Sequence, residues 1–233
     1  MVLTNLHFFH FKWWGGGETE EIIKFFENLH VRDTFNFNWT FIFILAVVFY
    51  VYWSEIYKKN YEAVFAGLAL YGVHWLYEIA NAIIGRVSGY PLWAVSNASS
   101  TFILLEGVSW ELSMMFSLAG IISFKMMGRD RTKRYFTFKG RWRGISCRLL
   151  TAIEMALLFA LFEAFLAGTS NNSFVWVYKW WGVIPVFITT YIPFFLASNY
   201  INELKGKTKA IVLGSLWGTV ALLLAILIPC QVI

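Results

Sequence analysis

The sequence predicts an all-α fold, a polytopic membrane helix bundle of about six transmembrane helices with an N-terminal interfacial amphipathic helix. Three observations predict it. The chain is 58% hydrophobic and only 14% charged, whereas soluble domains carry roughly 25% charged residues. Apolar runs recur at the ~20-residue length that crosses ~30 Å of hydrocarbon. Lysine and arginine gather in alternate loops, as they do where loops alternate between two sides of a bilayer.

Residues 1–37 form the interfacial segment. Lys12 and the run Trp13-Trp14-Gly15-Gly16-Gly17 interrupt any apolar stretch that a signal peptide would need. Phe8, Phe9, Phe11, Trp13 and Trp14 read as an aromatic anchor at headgroup level, and Gly15 to Gly17 as a hinge. Over Thr19–His30, Ile22, Ile23, Phe25, Phe26 and Leu29 cover one side, with Glu20, Glu21, Lys24 and Glu27 elsewhere. That pattern predicts a short helix lying on the membrane surface.

Residues 38–233 form a single six-helix domain, with spans expected at 38–57, 62–85, 100–125, 148–168, 178–201 and 208–230. In the fifth span, Pro185 and Pro193 free the carbonyls of Trp181 and Thr189, four residues earlier in each case. Such carbonyls can line a cavity. The sixth carries Gly214-Ser-Leu-Trp-Gly218, a GxxxG pattern that predicts close packing within the chain or in a homo-oligomer.

Topology follows from charge. The segments 58–61, 125–148 and 202–209 hold 14 of the 19 basic residues, which places these loops in the cytoplasm and both termini outside. Asn-x-Ser/Thr triplets at Asn38, Asn97 and Asn171 fall on the outer side. The basic loop 125–148 includes Tyr135, Phe136, Phe138 and Trp142, and reads as inner-leaflet contact rather than nucleic-acid binding. Cys147 and Cys230 form no metal or disulfide spacing.

Polar residues inside the spans mark the candidate site, because ionisable groups at membrane depth need partners, water or an ion. His74, Glu78 and Asn81 recur at i, i+4 and i+7 on one face of span 2. On span 3, Glu106, Ser109, Ser113, Ser117 and Gly120 make a small, polar face. Glu111 lies about 140° round the helix from Glu106. On span 4, Glu163 shares a face with Ala152, Ala156, Ala160 and Ala167. Glu154 falls on the other side, toward the inner headgroups or Arg148. The catalytic candidates are therefore His74, Glu78, Glu106 and Glu163, and the ligand-binding candidates Asn81, Glu111, Trp110 and Tyr77. No cofactor is predicted. A carboxylate-bridged metal centre would show Glu-x-x-His on two helices, whereas in the spans the single His, His74, comes first and four residues before its Glu.

The His-x-x-x-Glu of span 2, with a Glu on span 3, resembles the emopamil-binding family of sterol isomerases. The likeness covers about 40 residues and the positions His74, Glu78 and Glu106. It implies a proton donor and groups that stabilise a carbocation.

Three functions stay open at this point. The favoured one is binding or processing of an apolar, lipid-like molecule by acid–base chemistry, with membrane lipids as surroundings. The second is proton or small-cation transport. The third is a non-catalytic structural subunit whose polar residues join helices.

Overall fold

The computed structural model describes residues 12–17, 19–34, 39–97, 102–128, 130–137, 144–168 and 174–233. The aromatic anchor at Phe8, Phe9 and Phe11, the triplets at Asn38 and Asn171, and Arg129, Phe138, Lys139, Arg141, Trp142 and Arg143 lie outside the described residues.

Helices dominate. They are α1 (Glu20–Glu27), α2 (Thr40–Tyr57), α3 (Tyr61–Ser88), α4 (Trp110–Met126), α5 (Cys147–Ala167), α6 (Val183–Glu203) and α7 (Gly206–Leu227). Four of these, α3, α5, α6 and α7, are long and apolar enough to cross a bilayer. α2 is apolar but shorter. α4 has 17 residues, ~26 Å at the helical rise. Six helices thus stand where six spans are expected, four of them of full spanning length and composition.

α3 is the central element: it packs on α4, α6 and α7. The α3–α4 seam is close because both sides are small. A Cβ at Gly120 would lie 2.7 Å from the Ala66 carbonyl oxygen and 2.9 Å from Gly67 Cα. Ser113 and Ser117, on the same face, are buried and satisfy their hydroxyls on the Trp110 and Met114 carbonyls. α3 stops at Gly89, whose left-handed φ of 91° suits glycine.

The third span differs from expectation. Residues 103–109 are a β-hairpin, β2 (Ile103–Leu105) and β3 (Val108–Ser109), turned at Glu106-Gly107. The helix begins only at Trp110, because the Ser109 hydroxyl accepts from Leu112 N at 3.2 Å and caps it. Glu106 therefore does not share a helical face with Ser113 and Ser117. The fifth span also starts late. Before it, β6 (Phe174–Trp176) pairs antiparallel with β1 (Trp93–Val95), forming a short ladder over one end of the bundle.

Gly15 to Gly17 dock on that ladder rather than hinge. Their amides donate to the carbonyls of Trp181, Trp176 and Val177 at 2.7, 3.2 and 2.7 Å. A Cβ at Gly15 would run into the Tyr178 carbonyl. α1, capped by Thr19, buries Ile22 against Ala94, Val175 and Val177. Phe25, Phe26 and Leu29 pack on the same cluster and Ile23 is exposed. Asn97 holds the same region: its amide donates to the His30 carbonyl and its oxygen accepts from His30 N. That double use leaves the triplet's amide committed to structure.

At the opposite end β4 (Arg134–Tyr135) pairs antiparallel with β5 (Ile145–Ser146), and ion pairs from separate helices tie this end together. Lys125 pairs with Glu55, Arg131 with Glu62 at 2.5 Å, and Arg148 with Glu203. Arg148 thus meets Glu203 rather than Glu154, and of the two placements expected for Glu154 the exposed one, away from Arg148, is found. Of the cysteines, Cys147 is buried and Cys230 exposed. In α7, Leu216 and Trp217 press on Gly72 of α3. Gly214 and Gly218 face away, with nothing within 4 Å among the described residues, so the GxxxG pair takes no part in packing among them.

Candidate functional site

The site is built where α3, α4, α5 and α6 enclose a cavity of about 280 Å³ beneath the β1–β6 ladder. His74 and Glu78 enter it from α3, Glu111 from α4, Glu163 from α5, and Thr190 and Tyr191 from α6. None of the described lining residues is lysine or arginine. The walls are aromatic, with Trp93, Phe116, Phe159 and Phe194 among them.

His74 is fully buried. Its ring stacks on Phe116, centroids 4.1 Å apart, and meets the edge of Phe194. Nε2 stands 3.3 Å from Glu78 Oε1, one helical turn on. The approach is too oblique for a hydrogen bond, and neither imidazole nitrogen has a hydrogen-bond partner among the described residues. A buried polar group left so costs about 1–3 kcal/mol, an arrangement that makes sense where a ligand completes it. Thr190 Oγ1 is in the same condition.

The two carboxylates are held by indoles. Trp93 Nε1 donates to both Glu78 oxygens at 3.3 Å. Trp176 Nε1 donates to Glu163 Oε1 at 2.7 Å, and the Tyr191 hydroxyl also hydrogen-bonds Glu163. Trp93 and Trp176 are opposite one another in the ladder, so one strand pair orients both acids. Gly107 closes the group: a Cβ there would strike Glu78, Asn81 and Trp93.

Tyr191 and Thr190 reach the cavity because residues Val186–Tyr191 are π-helical. π-Bulges arise within helices, often at functional sites. The carbonyls freed by the two prolines are not open to the cavity. Trp181 O accepts from Gly15 N, and Thr189 O accepts from the Tyr77 hydroxyl at 2.8 Å.

Of the residues singled out in the sequence, His74, Glu78, Glu163 and Glu111 come together. Glu106 does not. It points to a second cavity of about 410 Å³, with Arg32, Arg86 and Gly85, because the hairpin turn sends residue 106 one way and Gly107 the other. Asn81 clamps β1: it donates to Trp93 O at 2.9 Å and accepts from Leu92 N at 2.8 Å. Tyr77 braces the π segment. Trp110 begins α4 and is not among the cavity's lining residues. The positions behind the likeness to the sterol isomerases divide accordingly, with His74 and Glu78 in the cavity and Glu106 outside it. Sequence reasoning missed Trp93, Trp176, Thr190 and Tyr191, since no local pattern marks an indole or hydroxyl that acts across chain segments.

Residues 26–229 match the model of a family described as an uncharacterized membrane protein family. The chain belongs to that family. A member of the same sequence neighbourhood, described as an uncharacterized protein of Archaeoglobus fulgidus, is 34% identical over 177 residues, covering 75% of this chain and 80% of that one. No solved structure matches. Family and apolar helices together make this a multi-pass membrane protein with buried glutamate and histidine.

Proposed function

We propose that this membrane protein binds an apolar, lipid-like molecule in the α3–α6 cavity and acts on it by acid–base chemistry. The observation that carries the reading is His74, a fully buried imidazole with Nε2 3.3 Å from Glu78 and neither nitrogen hydrogen-bonded among the described residues, facing a cavity with three carboxylates. Buried polar groups in proteins are normally satisfied, and the exceptions cluster where something else binds. The aromatic walls supply apolar contact. The His74–Glu78 pair, one turn apart on α3, is one proton-handling unit, and Glu163 with Tyr191 faces it as the second. General acid–base catalysis requires such groups within hydrogen-bond reach of one substrate.

Extraction in mild detergent followed by native mass spectrometry tests this. An apolar adduct should accompany the wild-type protein and be lost from His74→Phe. Glu163→Gln should keep an adduct but change its mass if chemistry depends on that acid. A wild-type protein without adduct, or one whose adduct survives His74→Phe unchanged, sinks the proposal.

One observation favours proton or small-cation transport instead: the π segment of α6 lies against Glu163, and broken helices next to carboxylates serve as moving parts in carriers. Vesicles reconstituted with the protein and a pH-sensitive dye separate the two. Proton flux abolished by Glu163→Gln would select the carrier.

A further inference from the structure

The cavity has a mouth, and its position narrows what can enter. Met115 of α4 and Phe162 of α5 both line the cavity, yet they are 45% and 48% exposed. The gap exists because α5 packs along α6 and touches α4 only sparsely. One to two turns from the mouth, on the same helix faces, Ile122 and Leu158 are also exposed. The opening therefore leads into the apolar belt of the bundle and away from both polar ends.

Resting on the binding role proposed above, we propose that the occupant is a neutral lipid alcohol. It enters sideways between α4 and α5 with its hydroxyl inward and leaves its apolar tail in the bilayer. Volume requires the divided placement. About 280 Å³ is at the bottom of the range that encloses a drug-sized ligand, so a lipid of ordinary length must remain largely outside. Charge selects the head. Glu78, Glu111 and Glu163 line the cavity with no described lysine or arginine among its walls, so an anionic head would be desolvated with no cationic side chain to pair with it. Hydrogen bonding selects further. An imidazole donates through at least one ring N–H, and the Thr190 hydroxyl both donates and accepts. A lipid hydroxyl can complete both His74 and Thr190, whereas an ammonium only donates and a hydrocarbon does neither.

Farnesol, farnesoic acid and farnesylamine share one chain and differ at the head, which makes them suitable probes. Binding to the purified protein is read from tryptophan fluorescence. Farnesol should bind about tenfold more tightly than either of the others, the ratio expected for ~1.4 kcal/mol of head-group preference. Equal or tighter binding of the acid or amine overturns the assigned class. For the route, Met115→Cys and Phe162→Cys are combined with Cys230→Ser and bridged by a short bismaleimide. Both sites are on the surface, so folding should be retained. The unbridged double variant sets the reference: farnesol loading should vanish from it on bridging, while a maleimide-treated Leu157→Cys, Cys230→Ser control, altered outside the cavity, should load like Cys230→Ser alone. Loading that survives bridging overturns the lateral entry. If none of the probes binds while the extracted protein carries its own adduct, the alcohol assignment fails and the binding role stands. If both experiments are empty, both fail.

Discussion

Glu163 is fixed from two directions, and substitutions there should separate its structural and chemical parts. Gln keeps an acceptor for Trp176 Nε1 and Tyr191, so Glu163→Gln should fold with nearly wild-type thermal stability. Leu leaves a buried indole N–H without its partner, at a cost of about 1–3 kcal/mol. Glu154→Gln, on the exposed face of α5, should be silent. Equal losses at all three variants in a melting experiment would mean that burial and bonding do not govern these sites. Glu106 offers a pH test. Burial pushes its carboxyl above the ordinary 4.5, with Arg32 opposing the rise. A raised folded-state pKa means that the folded protein holds the proton longer, so this stabilisation is complete below the unfolded value and is lost as pH rises through the folded one. The melting temperature should therefore decline as pH increases above ~4.5, and Glu106→Gln should flatten that slope. A slope unchanged by the substitution would assign it to another group.

At the level of elements, glycines separate seams from open faces. Gly120 is enclosed by the α3 backbone. Gly120→Ala overfills the α3–α4 seam and should cost about 1–3 kcal/mol. Gly214→Ala adds a methyl to open space within the chain and should stabilise α7 by up to about 1 kcal/mol, the helix-propensity difference. A loss at Gly214 together with a shift toward monomer in light scattering would reveal a second copy packed on that face. The π segment has its own brace. Tyr77→Phe removes the hydroxyl donated to Thr189 O and should lower stability by about 1 kcal/mol. Since the π turn delivers Thr190 and Tyr191 to the cavity, ligand binding should weaken with it. Unaltered binding would detach the brace from the site.

For the whole molecule, the decisive question is which end faces out. The β-ladder end carries Lys12, Lys24, Arg32, Arg86 and Lys179, against ten basic residues at the other end among the described residues. The positive-inside rule predicts that the ladder, the cavity beneath it and Cys230 lie toward the exterior. A membrane-impermeant maleimide added to intact cells should label the exposed natural Cys230. It should spare Thr132→Cys in a Cys230→Ser background. The reverse labelling would invert the topology and place the cavity in the inner leaflet.

What the sequence alone determined is whatever depends on composition and helical period. Apolar run length located six helices, and the spacing of His74 and Glu78 put both on one face of α3 whatever surrounds them. The same periodicity aligned Ser113, Ser117 and Gly120 along the α4 seam and set Glu163 apart from Glu154. Proline chemistry marked the two freed carbonyls. The tertiary structure decided the rest. Residues 103–109 read as helix by hydropathy, because an apolar run has the same composition in a helix and in a covered hairpin. Only the Ser109 cap and the turn at Gly107 distinguish them, and these moved Glu106 out of the cavity. Asn81 became a clamp, Gly15 to Gly17 a docking edge, and Trp93 and Trp176 the paired donors for Glu78 and Glu163. Each of these roles joins residues far apart in the chain, through hydrogen bonds whose partners are chosen by packing, and local periodicity carries no record of them.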